Sequence, residues 1–292
     1  MIAILSILAS LCMGGMQAQQ YKDDCIEFEV IIPSYNNAQW CIQNLQSAVS
    51  QIYPHFHITY VDDCSTDGTG EMVEKFVQDN NLQQKITIIH NKKRCGAMAN
   101  WYYTISTCPD HKVIVNLDGD DRFASNFVLS YLENIYKNYD VWLTYGQFTQ
   151  WPNHAVGWCK PMPEEVVKNN TFREYVHMPS HLRTFYAWLF KEIKKEDFMH
   201  EGKFFAMTCD QAMMFPMIEM AAERHAFISK ILYYYNNSNT ISDHIADEGA
   251  LQSLLSKVIR AKQPYTRLAE SAIPLKPGKP LYKKDSLHTE NV

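Results

Sequence analysis

His57-Ile-Thr-Tyr-Val-Asp-Asp-Cys-Ser-Thr-Asp-Gly-Thr69 is the stretch on which the reading of the chain turns. An apolar, β-branched run breaks into a cluster of Asp, Ser, Thr and Gly, which marks a buried strand that ends in a turn. Met72, Val73, Phe76 and Val77 then recur at helical spacing. The same unit stands on either side of it. Phe28-Glu-Val-Ile-Ile-Pro33 is a strand, and Asn37 opens a helix in which Ile42, Leu45 and Val49 share a face. Residues 85–90 form a strand, 96–107 a helix and 112–117 a strand. Val128, Tyr131, Leu132, Ile135 and Tyr136 mark a helix that leads to a fifth strand over 141–145. Strands alternating with helices over short links predict an α/β fold with a mostly parallel, doubly wound sheet.

The second half is patterned differently. Ser180 is placed to cap a helix with Leu182, Phe185, Leu189 and Ile193 on one face, and residues 211–222 read as a helix with Pro216 inside it. Residues 227–235 read as one strand, and a last helix runs from about 246 to 261. This half carries fewer strands and more aromatics, as expected of a lid or acceptor region built onto the sheet.

The whole chain has 292 residues, 46% of them hydrophobic and 20% charged, which is globular composition and excludes disordered and fibrous classes. A net charge of −5 argues against broad electrostatic binding to nucleic acid, so no nucleic-acid partner is expected. Residues 1–18 are apolar and uncharged, resembling a signal peptide or short anchor. The protein is therefore expected to be exported or membrane-associated, with the cytosolic face of a membrane as the alternative. From Lys257 onward there are eight Lys or Arg and three Asp or Glu, so residues 263–292 read as a loose basic tail able to meet an anionic membrane surface. Beyond Cys12 there are seven cysteines and no C-x-x-C, which speaks against a zinc ribbon or redox motif.

Ligands of open α/β sheets bind at the carboxyl ends of the strands. Here the second strand ends in Asp62, Asp63 and Asp67, and the fourth in Asp118-Gly-Asp-Asp121. Six carboxylates on one rim repel one another unless a cation or hydrogen-bond donors compensate. An oxygen-ligated divalent cation, Mg²⁺ or Mn²⁺, shared with substrate phosphates fits that pattern. Gly68-Thr-Gly70 lacks the third glycine of a dinucleotide fingerprint, because Val73 stands there, and no P-loop occurs. His177 and His181, with Pro179 between them, read as ordinary loop histidines.

Ile31-Ile-Pro-Ser-Tyr-Asn36, Val61-Asp-Asp-x-Ser-x-Asp-Gly-Thr69, Asn91-Lys-Lys-Arg-Cys-Gly96 with Asn100, and Asp118-Gly-Asp120 together resemble the family 2 glycosyltransferases of GT-A fold. The resemblance implies a nucleotide-sugar-binding half over 19–125, an acceptor half over 126–262, and inverting, metal-dependent transfer from a nucleoside-diphosphate sugar, a UDP-sugar in the first instance. The acceptor would be a glycan, lipid or protein hydroxyl, such as that of a surface or envelope glycan. Pro33 and Tyr35 would line the base pocket, Asp62 and Asp63 would reach uracil or ribose, and Arg94 the base or diphosphate. Asp118 would meet ribose or metal, Asp120 the metal, and His244 would be a third metal ligand. Asp210, at a helix start, would be the general base, with Glu219 and Glu201 in reserve. The loop from Trp151 to Trp158 would contact the acceptor. A non-catalytic nucleotide-sugar or glycan-binding protein on the same fold is the alternative, which intact Asp118, Asp120 and Asp210 disfavour.

Overall fold

The structure, a computed structural model, describes residues 25–239, 249–269 and 279–282. The first half follows the expected alternation: β1 (Phe28–Ser34), α1 (Cys41–Val49), β2 (Phe56–Asp62), α2 (Thr69–Asp79), β3 (Ile86–His90), α3 (Ala97–Thr107), β4 (Val113–Asn116), a short β5 (Arg122–Phe123), α4 (Val128–Asn138) and β6 (Leu143–Gly146). The second half adds β7 (Thr149–Trp151), α5 (Glu164–Asn169), β8 (Thr184–Tyr186), α6 (Ala187–Lys191), β9 (Met199–His200), β10 (Lys203–Phe204), α7 (Cys209–Ala221), β11 (His225–Ile228), β12 (Tyr233–Asn236) and α8 (Ala250–Ala261). Seven strands form the central sheet in the order β11-β6-β8-β4-β1-β2-β3. Neighbours are parallel except where β8 takes part. Helices cover both faces, so β1 and β2 are nearly continuous buried runs rather than alternating ones.

Two elements of the second half differ from the sequence expectation. Residues 180–193 do not form one helix. Thr184-Phe-Tyr186 is instead a strand, antiparallel between β4 and β6, and only residues 187–191 are helical. The run is buried all round, and periodicity does not separate a buried strand from a buried helix. As a strand residue, Thr184 meets with its hydroxyl those of Thr144 on β6 (2.6 Å) and Tyr136 on α4 (2.8 Å). Residues 227–235 likewise split. β11 extends the main sheet, whereas β12 leaves it to pair with β5 and β7. The antiparallel strand has a consequence for position: residues 181–183, just ahead of β8, lie at the carboxyl ends of β4 and β6.

The tail expected to be loose is held at several described points. Tyr265 N–H donates to Glu219 (2.9 Å), Arg267 pairs with Glu223 (2.9 Å), and Lys279 donates to the Tyr136 carbonyl (3.0 Å). Segment 1–18 lies outside the described residues. Among the described residues no helix is long and apolar enough to cross a membrane, and Cys25, Cys41, Cys64, Cys95, Cys108, Cys159 and Cys209 are all free thiols.

Glu29 is a buried carboxylate on β1. Its Oε1 accepts from Thr59 Oγ1 (2.7 Å) and meets His57 Nδ1 (2.8 Å), while Oε2 accepts from Lys112 Nζ (2.8 Å). Burial alone would raise its pKa, but these partners outweigh burial and hold it below the usual carboxylate range. Glu29→Gln should cost about 1–3 kcal/mol at neutral pH, because Lys112 loses its partner. A carboxyl depressed in the folded state adds stability above its unfolded pKa and loses it as pH falls through the folded value. The deficit should therefore shrink below about pH 4. Urea unfolding of both proteins at neutral and acid pH checks this, and a deficit that widened in acid would contradict it.

Candidate active site

The turn after β4 is built to stay in place. Asn44, buried on α1, donates to the carbonyls of Asp118 (2.8 Å) and Asp121 (2.9 Å), and Asp121 N–H closes the turn on Asp118 O (3.0 Å). Gly119 is required here. A Cβ on it would stand 2.6 Å from Ser34 Oγ and 2.9 Å from Asn37 Nδ2, both buried side chains. The Asp121 carboxylate is buried and accepts from Tyr233 O–H (2.6 Å) and Asn236 N–H (2.6 Å). Burial, then the charges of Asp120 and Asp118, push its pKa well above the usual range. Asp120 Oδ2 accepts from Asn239 Nδ2 (2.7 Å).

The structure brings Asp118, Asp121 and His181 together, with one ligand atom from each within 4.8 Å of the others. His181 stacks between Tyr233 (4.5 Å) and Tyr235 (5.3 Å), and its Nδ1 is 3.8 Å from Asp118 Oδ2. Two carboxylates and an imidazole suit a borderline-hard divalent cation. The expected set was Asp118, Asp120 and His244. His244 lies outside the described residues, and the imidazole at this point belongs to a histidine that reads in sequence as an ordinary loop residue.

Beside this turn lies a cleft of about 320 Å³, within the range of small-molecule sites. Its wall follows the order of the strands along the rim. Arg183 leads into β8, Asp118 and Asp120 follow β4, Pro33 and Tyr35 belong to β1 and its exit, and Asp63 follows β2. Arg94 packs over the Tyr35 ring at 4.0 Å. Asp63 Oδ1 accepts from Asn91 Nδ2 (2.7 Å) and Cys95 N–H (2.8 Å), and Oδ2 from Gly96 N–H (2.8 Å), so this carboxylate also shapes the loop after β3. Asp62 is not part of the wall. It points to the other side of the strand, where it accepts from Ser65 N–H (3.3 Å) and faces His90 (3.4 Å). The expectation that Asp62 reaches a ligand is corrected by that alternation.

Asp210 lies in the first turn of α7 and completes the wall. Its Oδ2 meets His177 Nε2 at 3.1 Å. Burial pushes its pKa up, but His177 and Arg183 outweigh that and hold it below the usual carboxylate range. The two reserve candidates are elsewhere. Glu219 is buried against Arg173, with bonds of 2.6 and 2.9 Å, and Glu201 has 85% of its side chain exposed on the β9–β10 turn. Trp151 packs edge-on against Trp40 and Trp158 against Phe148, and neither lines the cleft. Sequence reasoning missed His177, His181 and Arg183. The available signal was a titratable residue at 177, 181 and 183 interleaved with the apolar Met178, Leu182 and Phe185, a pattern that core packing alone does not call for.

The model of the family described as Glycosyl transferase family 2 matches residues 29–198. Two curated relatives are a Bacillus subtilis protein named for teichuronic acid biosynthesis, TuaG, at 27% identity over 36% of this chain and 40% of that one, and the glycosyltransferase GlyG of Streptococcus pneumoniae, at 22% over 70% and 69%. Among solved structures, Staphylococcus aureus TarS 1–349 with UDP-GlcNAc superimposes with a TM-score of 0.57 at 18% identity, over 76% of this chain and 61% of that one. The mannosyltransferase PcManGT of Pyrobaculum calidifontis, with GDP-Man and Mn²⁺, gives 0.56 at 18%, over 82% and 66%. At that identity the likeness shows the fold, a mixed, mostly parallel GT-A sheet. This chain spans less than two thirds of the length of TuaG and of the TarS fragment.

Gly119→Ala should disturb the candidate cation site without removing any of its candidate ligands. The added methyl has no room between Ser34 and Asn37, so a loss of about 1–3 kcal/mol in stability is expected. A parallel loss of Mn²⁺ affinity, measured by calorimetry, should accompany it. A variant that binds Mn²⁺ as the wild type does would show that the turn is not part of the site.

Proposed function

Because the chain belongs to glycosyl transferase family 2, we propose that it moves a sugar from a nucleoside-diphosphate sugar to an acceptor hydroxyl, with inversion and with a divalent cation. The observation that carries this reading is one cleft in which Asp118 and Asp120 share the wall with Asp210. Asp118, Asp121 and His181 would hold Mn²⁺ or Mg²⁺. When bound, the cation neutralises charge on the departing diphosphate. Asp210 stands apart from that group and, ionised, takes the proton of the acceptor hydroxyl as its oxygen attacks.

The base pocket favours uracil. An ionised carboxylate offers about four acceptor positions, and Asp63 has filled three of them with Asn91, Cys95 and Gly96. The one left matches the single imide N–H of uracil and is too few for the paired N–H groups of guanine. Tyr35 and Arg94 supply flat faces for that base. For the acceptor, a surface or envelope glycan is supported by the names of two relatives, TuaG and the poly(ribitol-phosphate) β-N-acetylglucosaminyltransferase TarS. Residues 1–18, as a signal or anchor, would export the enzyme or bring it to a membrane.

The test is hydrolysis or transfer from a panel of UDP- and GDP-sugars, with Mn²⁺ and with excess chelator. Activity should require the metal and prefer UDP-sugars. Asp210→Asn should lower turnover by about 10²–10⁴-fold while leaving UDP affinity nearly unchanged. Full activity in chelator, or an Asn variant as fast as the wild type, would refute the corresponding assignment.

A further inference from the structure

We propose that Arg183 is the contact for the donor's β-phosphate, the group that leaves with the nucleotide. The proposal rests on the nucleotide-sugar reading above. Arg183 is only 6% exposed, yet it forms part of the cleft wall. A buried guanidinium needs acceptors for its five N–H donors. Among the described residues this one has a single acceptor, Asp118 Oδ2, at a long 3.5 Å, and its Nε has none. Arg173, equally buried, shows how the same fold satisfies an arginine that has no ligand to bind. Its Nε and Nη2 grip Glu219 at 2.6 and 2.9 Å, and Nη1 donates to Ile259 O at 2.7 Å. The shortfall at Arg183 is therefore not how the fold treats its other buried arginine, which lies away from the cleft.

Position and charge say what fills it. The Arg183 carbonyl accepts from Asn116 N–H (3.1 Å), which fixes the residue at the carboxyl end of β4, beside the Asp118 turn. Its strongest electrostatic partners are Asp118 and Asp210, so it stands between the candidate metal carboxylate and the candidate base. Along the rim, a nucleotide with its base at Tyr35 and Asp63 and its diphosphate at Asp118 has its β-phosphate next to β8. In the transfer, the acceptor oxygen bonds to the anomeric carbon and its proton passes to Asp210. The bond from that carbon to the phosphate oxygen breaks, and its electron pair stays on the β-phosphate. Charge thus grows where Arg183 waits, and a planar fork of N–H donors matches phosphate oxygens two at a time. A sugar hydroxyl would meet one donor and none of the charge.

The test compares UDP with UMP, which lacks the β-phosphate, by calorimetry on the full chain in saturating Mn²⁺. Arg183→Gln should weaken UDP by about tenfold or more and leave UMP within about twofold. Arg183→Lys, which keeps the charge but not the fork, should fall between, and it carries the same comparison if the Gln variant does not fold. Equal losses for UDP and UMP would make Arg183 structural and overturn the proposal. Unchanged UDP affinity would overturn it too, as would a UDP loss seen only at limiting Mn²⁺ and absent at saturation, which would place the effect at Asp118. A wild-type chain that bound neither nucleotide would overturn the nucleotide-sugar reading and this proposal with it, an outcome distinct from the other three.

Discussion

Five carboxylates, those of Asp63, Asp118, Asp120, Asp121 and Asp210, line one cleft, and their mutual repulsion is the constraint around which the structure is arranged. Each is offset by a different device. Asp63 takes three amide N–H groups, and Asp120 takes the Asn239 amide. Asp121 takes a phenol and a backbone N–H, and its pKa rises as burial and its neighbours demand. Asp210 is offset by His177 and Arg183. Around Asp118 the basic groups stand further off, with Arg183 at 3.5 Å and His181 at 3.8 Å. Asp118 is thus the carboxylate beside which a cation and the proposed phosphate-binding arginine would act.

The second half of the chain supplies most of these devices, and two strands place them. β12 carries Tyr233 and Asn236 across to the Asp118–Asp121 turn, and the same Tyr233 hydroxyl accepts from Asp118 N–H (3.2 Å). β8 runs against its neighbours, so the residues that precede it arrive at the rim where the other strands end. Were β8 parallel, His181 and Arg183 would lie at the opposite edge of the sheet. One reversed strand thus brings basic groups beside the acidic turn at the rim of the sheet.

The first half was legible because its information is local. A strand that ends in Asp-Asp, a turn and an amphipathic helix are each encoded within about ten residues, and short links order them along the sheet. Asp63, Asp118, Asp120, Tyr35 and Arg94 were placed on the cleft from that pattern and the resemblance it carries, and the structure sets all five on its wall. Asp62 was the exception, because neighbours in a strand face opposite sides. Residues 180–186 were misread because a segment buried on all sides has no periodicity to follow. His177, His181 and Arg183 acquire their roles only through contacts with residues 33, 63 and 65 positions away, respectively Asp210, Asp118 and Asp118. No local window holds such information.

Asp210 shows how the two kinds of information combine. Its position at a helix start could be read from sequence, and the helix end favours its ionised form. The neighbours that lower its proton affinity could not be read. A carboxylate held below its usual range is ionised throughout the neutral region, so it is always free to accept a proton, but it is an intrinsically weak base. Proton affinity alone therefore does not suit Asp210 to the task. As the proposed base, Asp210 would therefore act through placement: His177 holds its carboxylate on the wall of the same cleft as Tyr35, Asp63 and Asp118, where an acceptor hydroxyl would meet it. The basic pair beside Asp210 trades base strength for a fixed position and a constant charge, and the same Arg183 side chain is the one proposed to meet the leaving group's charge.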